Sequence, residues 1–313
     1  MSLADRTPPT AEEFHGYRER FQNWGRWGAE DQLGTLNHVT PEVRAHALTL
    51  PQAGRTVSCS YDWATLPGPL NPQPAQQYTQ VGDAGSTEYV GVAYHGRVTT
   101  HVDALCHVFT MPEQLMYNGR PGSLVRSYGG ARVNSIHAWR DGVVTRGVLY
   151  DIPRLRGTDF VTVDEPVHGW DLEDAARAQG VEPRPGDAVL IRCGRDAFYR
   201  AHPDVELLEA AGVHASALEY LYEHDAALLG WDLLDAGGQG YPGTVPMGRG
   251  RMMSVPVHEI AIPHMGMPLI DNTNCEQLAE ACAELGRYEF LFMLAPLSIR
   301  GGTGSPVNPI AVL

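Results

Sequence analysis

The strongest constraint on the fold is an alternation, running from about residue 147 to residue 297, of short apolar runs with amphipathic segments of helical length. GVLYDI at 147–152, DAVLIRC at 187–193 and YEFLFMLAPL at 288–297 read as buried strands, the second launched by the turn Pro185-Gly186-Asp187. AALLGWDLL, following Asp225, is a fourth strand candidate. Between them, DLEDAARAQG at 171–180 predicts a helix that stops on Gly180, the residue type that tolerates a left-handed C-terminal position. SALEYLYEHD at 216–225 predicts a second helix, with Ser216 as N-cap and Leu218, Leu221 and Tyr222 on one face. NCEQLAEACAELG, from Asn274 to Gly286, predicts a third. Strands and helices in alternation, without a linker or an internal repeat, predict one mixed α/β domain over 1–313.

Upstream, the first fifty residues carry polar turns (NWGRWG, AEDQLGTLN) and a helix start at Thr40-Pro41, so 1–50 is expected to be an ordered N-terminal extension. RTVSCSYD at 55–62 suggests a strand, and LPGPLNPQPAQQ after it holds too much proline for a helix or a central strand, which predicts a surface loop.

Charge excludes one large class of partner. With 37 acidic residues against 23 basic ones and a formal net charge of −14, the chain repels a phosphate backbone, so nucleic acid is not an expected partner. No apolar run approaches the roughly 18 residues of a membrane span, and the first residues, MSLADRTPPTAEEF, lack a secretory pattern. The five cysteines, at 59, 106, 193, 275 and 282, are scattered and form no CxxC pair, which argues against a disulfide framework and predicts a reducing, cytoplasmic setting.

Chemistry concentrates in YHGRVTTHVDALCHVF at 94–109, the densest run of metal-ligating side chains in the chain. In an extended segment residues i and i+2 point the same way, so His101 and Asp103 can converge on one ion, and His107 lies one helical turn beyond Asp103 if the chain turns helical there. Imidazole with carboxylate suits a divalent transition ion such as zinc or manganese rather than calcium. Each histidine alone would more readily be a satisfied core or surface residue; three ligand-type side chains within seven positions weigh toward a metal site.

THVDALCH resembles the HxGTHxDxPxH signature of the cyclase family, which includes kynurenine formamidase and isatin hydrolase. RPGDAVLIRCG resembles the family's PGD-plus-strand element, PVHEIAIPHMGMPLIDNTNCEQLAE its late histidine, acid and helix, and NWGRWGAEDQLGTLN the opening of its longer members. The resemblance implies the family's swivelling β/β/α-like α/β fold, with a β-rich core and flanking helices, and a homo-oligomer, dimer or tetramer. It also implies a metal-dependent hydrolase acting on an amide, lactam or related C–N bond, or a lactone, of a small molecule. Its implied metal ligands are His101, Asp103, His107, His258 and Asp271, with Asp103 able to bridge two sites. An amine leaving group needs a proton, which an imidazole with a pKa near 6.5 can carry, so His107 or His101, whichever is not ligating, is the candidate catalytic histidine.

Two departures from the pattern matter. The position four before His101, a histidine in the signature, is Arg97, which stays protonated and cannot ligate a cation, so one bound ion is expected rather than two. His95, two residues earlier, is expected to substitute for it or to bind substrate beside Arg97. The late acid is Asp271, one methylene shorter than the family's glutamate, with Glu259 and Glu276 as weaker candidates. Loss of the metal would instead leave a small-carboxylate-binding protein with Arg97 as anion clamp, and a metal-dependent lyase or dehydratase would use the same ion differently. Tyr117, in LMYNGRPG, is expected on the substrate side, although such a sequence is first of all a turn. Trp24 and Trp27 read as packing residues and His264 as a solvated loop residue. Ser254 and Ser305 lack a nucleophile elbow, and GGTG at 301–304 lacks the context of a phosphate loop.

Overall fold

The computed structural model describes residues 3–203, 212–236, 241, 245–246 and 252–313. Its centre is one nine-stranded sheet. The strands are β1 (Thr56–Ser58), β2 (His101–Asp103), β3 (Val143–Asp151), β4 (Ala188–Arg192), β5 (Leu228–Trp231), β6 (Leu269–Asp271), β7 (Glu289–Leu294), β8 (Gly304–Pro306) and β9 (Ile310–Val312). They lie in the order β1-β9-β7-β3-β4-β5-β6-β2-β8. The middle, β3 to β6, is parallel, and the strands on either side of it join antiparallel.

The apolar runs become strands because helices cover both faces of the parallel middle, which leaves no solvent face to demand polar residues. Val148, Tyr150, Val189, Ile191, Leu229 and Trp231 enter one core, and the alternate residues Leu149, Ala188, Leu190 and Leu228 enter the other. Gly169–Gln179 and Ala217–Glu223 pack in the first core, while Glu276–Leu285 packs in the second through Leu278, Ala281 and Cys282. The expected glycine stops are present: Gly180 and Gly286 adopt φ of 66° and 61°.

Some local expectations change. Ser216 precedes its helix but does not cap it, because its hydroxyl is taken by two imidazoles, His168 Nδ1 at 2.9 Å and His214 Nδ1 at 3.1 Å. The Pro/Gln-rich loop ends sooner than expected, at Gln76, where an exposed hairpin begins (Gln76–Gly82 with Gly85–Gly91). His264 is buried rather than solvated, stacked on Trp24 with ring centres 5.7 Å apart. All five cysteines are buried and free. Among the described residues no helix is long and apolar enough to cross a membrane.

The N-terminal segment braces the region that carries the late histidine. Thr10 closes a capping box on the helix Ala11–Arg20, and Thr40 caps Pro41–Ala47 as expected. Between these helices, the Asn23 amide donates to the Met265 carbonyl at 2.9 Å, Trp24 Nε1 donates to Pro263 at 2.6 Å, and the Thr35 amide donates to Gly266 at 2.9 Å. At Gly34 the approach is so close that a Cβ would stand 1.9 Å from the Gly266 oxygen, so no other residue fits there.

Candidate metal centre

Strand register assembles the centre. β2 lies between β6 and β8, pairing Asp271 opposite His101, and Leu269 and Gly304 opposite Asp103. This cross-strand pairing brings Asp271 to the signature despite its short side chain. After β2 the chain turns, with the His107 amide donating to the Ala104 carbonyl at 2.9 Å. His258 comes from a third element, the helix Pro256–Ile260, which runs into a π-helical turn at Ala261–Met265.

Two groups of side chains result, and both contain Asp103. In His95, His101 and Asp103, and again in Asp103, His258 and Asp271, one ligand atom per residue lies within 4.8 Å of the others. His95 Nδ1 is 3.0 Å and His101 Nε2 3.5 Å from Asp103 Oδ1. On the other side His258 Nε2 is 3.6 Å from Asp103 Oδ2 and 3.2 Å from Asp271 Oδ2. Ligands bonded to one ion at about 2.1 Å in tetrahedral array are roughly 3.4 Å apart, the same scale as these separations.

The hydrogen bonds on the outside of each ring decide what faces inward. His101 Nδ1 donates to the Thr99 carbonyl at 2.8 Å, and His258 Nδ1 donates to Asp235 Oδ1 at 2.8 Å. A carbonyl and a carboxylate only accept, so each ring carries a proton on Nδ1 and turns Nε2 to the centre, where His258 Nε2 meets Asp271 Oδ2 at 3.2 Å. Asp103 is fully buried, and neither of its oxygens has an aligned hydrogen bond, although His95 Nδ1 is within reach by distance alone. Two carboxylates and the surrounding imidazole nitrogens converge there, and a donor set of imidazole and carboxylate suits a divalent transition ion.

At His258 burial pulls the pKa down, but Asp235 and Asp271 outweigh it and hold it well above the ordinary value, so the imidazole's positive charge, or that of a bound cation in its place, balances the carboxylates. Burial alone would push the Asp103 carboxyl up, but the imidazoles of His107, His95 and His101 overturn that and hold it well below the usual carboxylate range. His107 is pushed down to about 4 by desolvation, with Asp103 opposing and the other imidazoles adding to the effect, so it is neutral at pH 7.

The sequence-derived residues are thus partly regrouped. His101, Asp103, His258 and Asp271 meet as expected. His107, expected as a ligand, falls outside both groups: its Nε2 is 3.8 Å from Asp103 Oδ2 and its ring stacks on His95, centres 3.9 Å apart and 2° from parallel. His95, expected to substitute or to bind substrate, stands inside one. The Arg97 guanidinium donates to Met253 Sδ at 2.9 Å, and burial pushes its pKa down against the opposing pull of Tyr199, Asp271 and Asp235. Tyr117, expected beside the substrate, is fully buried and donates its hydroxyl to Asp31 at 3.0 Å, which makes it a packing residue of the MYNG turn. Of the weaker acids, Glu276 is held by Arg192 at 2.8 Å. Ser305 is a structural hydroxyl, accepting from the Leu297 amide at 2.8 Å.

Sequence reading missed Asp235. Beyond its bond to the His258 ring, its other oxygen accepts from the amides of Val257 at 2.9 Å and His258 at 3.2 Å, fixing both ring and helix start. An aspartate four residues past a strand carries no signal of this role.

The profile of the Cyclase family, described as "Putative cyclase", matches residues 30–237, more than half of the chain. No curated protein sequence matches it. A crystal structure described as a novel cyclase is similar at 28% identity and TM-score 0.80, covering 95% of this chain and 99% of that one. Isatin hydrolase A from Ralstonia solanacearum is similar in fold at 18% identity and TM-score 0.52, covering 82% and 91%. An isatin hydrolase bound to the product analogue thioisatinate aligns at 17% identity and TM-score 0.54, covering 83% and 92%. The signature strand, its pairing with the late acid and the extent of the profile match together show that the chain belongs to the Cyclase family.

Proposed function

We propose that the protein is a metal-dependent hydrolase that cleaves the carbon–nitrogen bond of a small-molecule amide or lactam. The observation that carries this reading is the convergence of imidazole nitrogens from His95, His101 and His258 on the sealed carboxylate of Asp103. Zinc or manganese held by these residues and Asp271 would supply a Lewis acid and a water that ionises near neutral pH. The isatin hydrolases of similar fold support a lactam or amide as the substrate class.

The chain's own residues then have separate tasks. Asp103 and Asp271 set the negative charge of the centre, and Asp235 fixes the His258 ring. His101 has Nδ1 committed to Thr99 and a side chain only 2% exposed, which suits a ligand more than a proton carrier. His107, neutral and with a side chain 29% exposed, is placed to take a proton from the attacking water and return it to the departing nitrogen. Arg97 adds a cation near Asp271 on the substrate side. The carboxylate-binding alternative starts from the ligand lost at Arg97, and the nearness of His95 to His101 and Asp103 supports the metal reading over it.

The test is turnover of a panel of amides, lactams and lactones by metal-reconstituted protein in ¹⁸O-enriched water. C–N cleavage with one solvent oxygen in the carboxylate product is expected. Turnover without solvent oxygen would show a lyase or dehydratase, and cleavage confined to lactones would overturn the C–N assignment.

A further inference from the structure

We propose that His95 supplies the ligand that Arg97 cannot, through Nδ1, and that Thr303 is the positioning residue that turns this nitrogen to the centre. The inference rests on the metal-centre reading above and extends it to a histidine outside the signature and a threonine about two hundred residues away.

The argument begins with the outer face of the His95 ring. Nε2 lies 3.0 Å from Thr303 Oγ1, a contact whose direction is ambiguous on its own, since a hydroxyl both donates and accepts. The inner face of the ring removes the ambiguity once a cation is bound. Nδ1 lies 3.0 Å from Asp103 Oδ1, and a nitrogen that ligates must present its lone pair, so the neutral ring then carries its proton on Nε2 and the Thr303 oxygen accepts it. His95 would thereby match His101, proton outward and lone pair inward, with the two nitrogens exchanged. Tyr94, whose phenol donates to the Gly304 carbonyl at 3.0 Å, packs against the same ring, centres 4.6 Å apart.

The backbone around His95 is tied as firmly. Asn272, next to Asp271, donates its amide to the carbonyls of Gly96 at 2.8 Å and Thr99 at 3.0 Å. Arg195 donates to the Asn272 side-chain oxygen at 2.8 Å and also to the Arg97 carbonyl. The Arg97 side chain is meanwhile committed to Met253. Gly304 leaves room for the imidazole: a Cβ there would stand 2.8 Å from His95 Cε1 and 2.6 Å from the Val102 oxygen.

The test is zinc titration of metal-stripped protein against a competing chelator, on the wild type, His95→Ala, Thr303→Val, Thr303→Ser and the double variant His95→Ala/Thr303→Val. Without the Thr303 acceptor, His95 can move its proton to Nδ1 and become a hydrogen-bond donor to Asp103 instead of a ligand. Thr303→Val should therefore weaken, by about 10–100-fold, the same zinc-binding step that His95→Ala weakens. Thr303→Ser, which keeps the acceptor, should restore that step, and the double variant should bind no more weakly than His95→Ala. Unchanged zinc affinity in Thr303→Val or His95→Ala overturns the proposal. So does a Thr303→Val loss of the same size in the His95→Ala background, because Thr303 would then act elsewhere. Absence of zinc binding by the wild type would instead sink the metal reading on which the proposal stands, a result separate from the others.

Discussion

Asp235 Oδ1 and His258 Nδ1 are bonded at 2.8 Å between two buried residues, and this pair sets which nitrogen of His258 faces the centre. Carboxylates that hold a ligating histidine from behind typically contribute 10–100-fold to metal affinity. Asp235→Ala should therefore raise the metal dissociation constant by about that factor and lower activity with it. Calorimetric titration with zinc checks this, and an unchanged affinity would show that the His258 ring is held by its packing alone.

A second prediction concerns the ion pair at the middle of the sheet. Arg146 on β3 donates to both oxygens of Asp187, at 2.8 and 2.7 Å, and to Glu289 at 2.8 Å, with the Arg146 and Asp187 side chains 3% and 4% exposed. Removing Asp187 leaves the buried guanidinium with only the partly exposed Glu289 carboxylate and the Glu182 carbonyl. Asp187→Ala should cost about 3–5 kcal/mol of unfolding free energy. Urea denaturation measures it, and a loss under about 1 kcal/mol would place the pair among solvent-screened ones.

A third prediction follows from His168 and His214, which share the Ser216 hydroxyl. Desolvation pushes them down to about 4 and about 3 from an ordinary 6.5, aided by Arg156 at the first and by His168 at the second. A group whose folded pKa is depressed resists protonation only while folded. Its contribution is complete above pH 6.5 and is lost as the pH falls from 6.5 toward 4. Stability should be level with respect to these two groups near pH 7 and should drop below 6.5, by on the order of 1 kcal/mol per group per pH unit. The slope, read from denaturant midpoints, should be shallower in His214→Gln; an equal slope would assign the acid sensitivity to other groups.

Much of the fold was legible because the parallel strands β3, β4 and β5 are buried on both faces, which makes them continuous apolar runs in the sequence. The helices from Gly169 and Glu276 were equally plain, since each stops at a glycine with positive φ. In the site, His101 and Asp103 were legible through the two-residue period of an extended strand. The sequence was silent where contacts cross the sheet. Asp271 reaches the centre by strand register with His101, and Asp235 and Thr303 act through hydrogen bonds to residues distant in sequence. The place of His95, expected from the sequence as a substitute for the ligand lost at Arg97 or as a substrate-binding residue, was not fixed by spacing either. It depends on how 94–100 is tied by Asn272 and Arg195, which no spacing rule encodes.

The central claim is that Asp103 holds a divalent metal between His101 and His258. Metal analysis of the purified wild type beside Asp103→Ala, with circular dichroism on both, tests it most directly. The account predicts stoichiometric transition metal in the wild type and loss of that metal in Asp103→Ala, with the folded spectrum retained. A variant that keeps the full metal content, or a metal-reconstituted wild type that retains none, would contradict it.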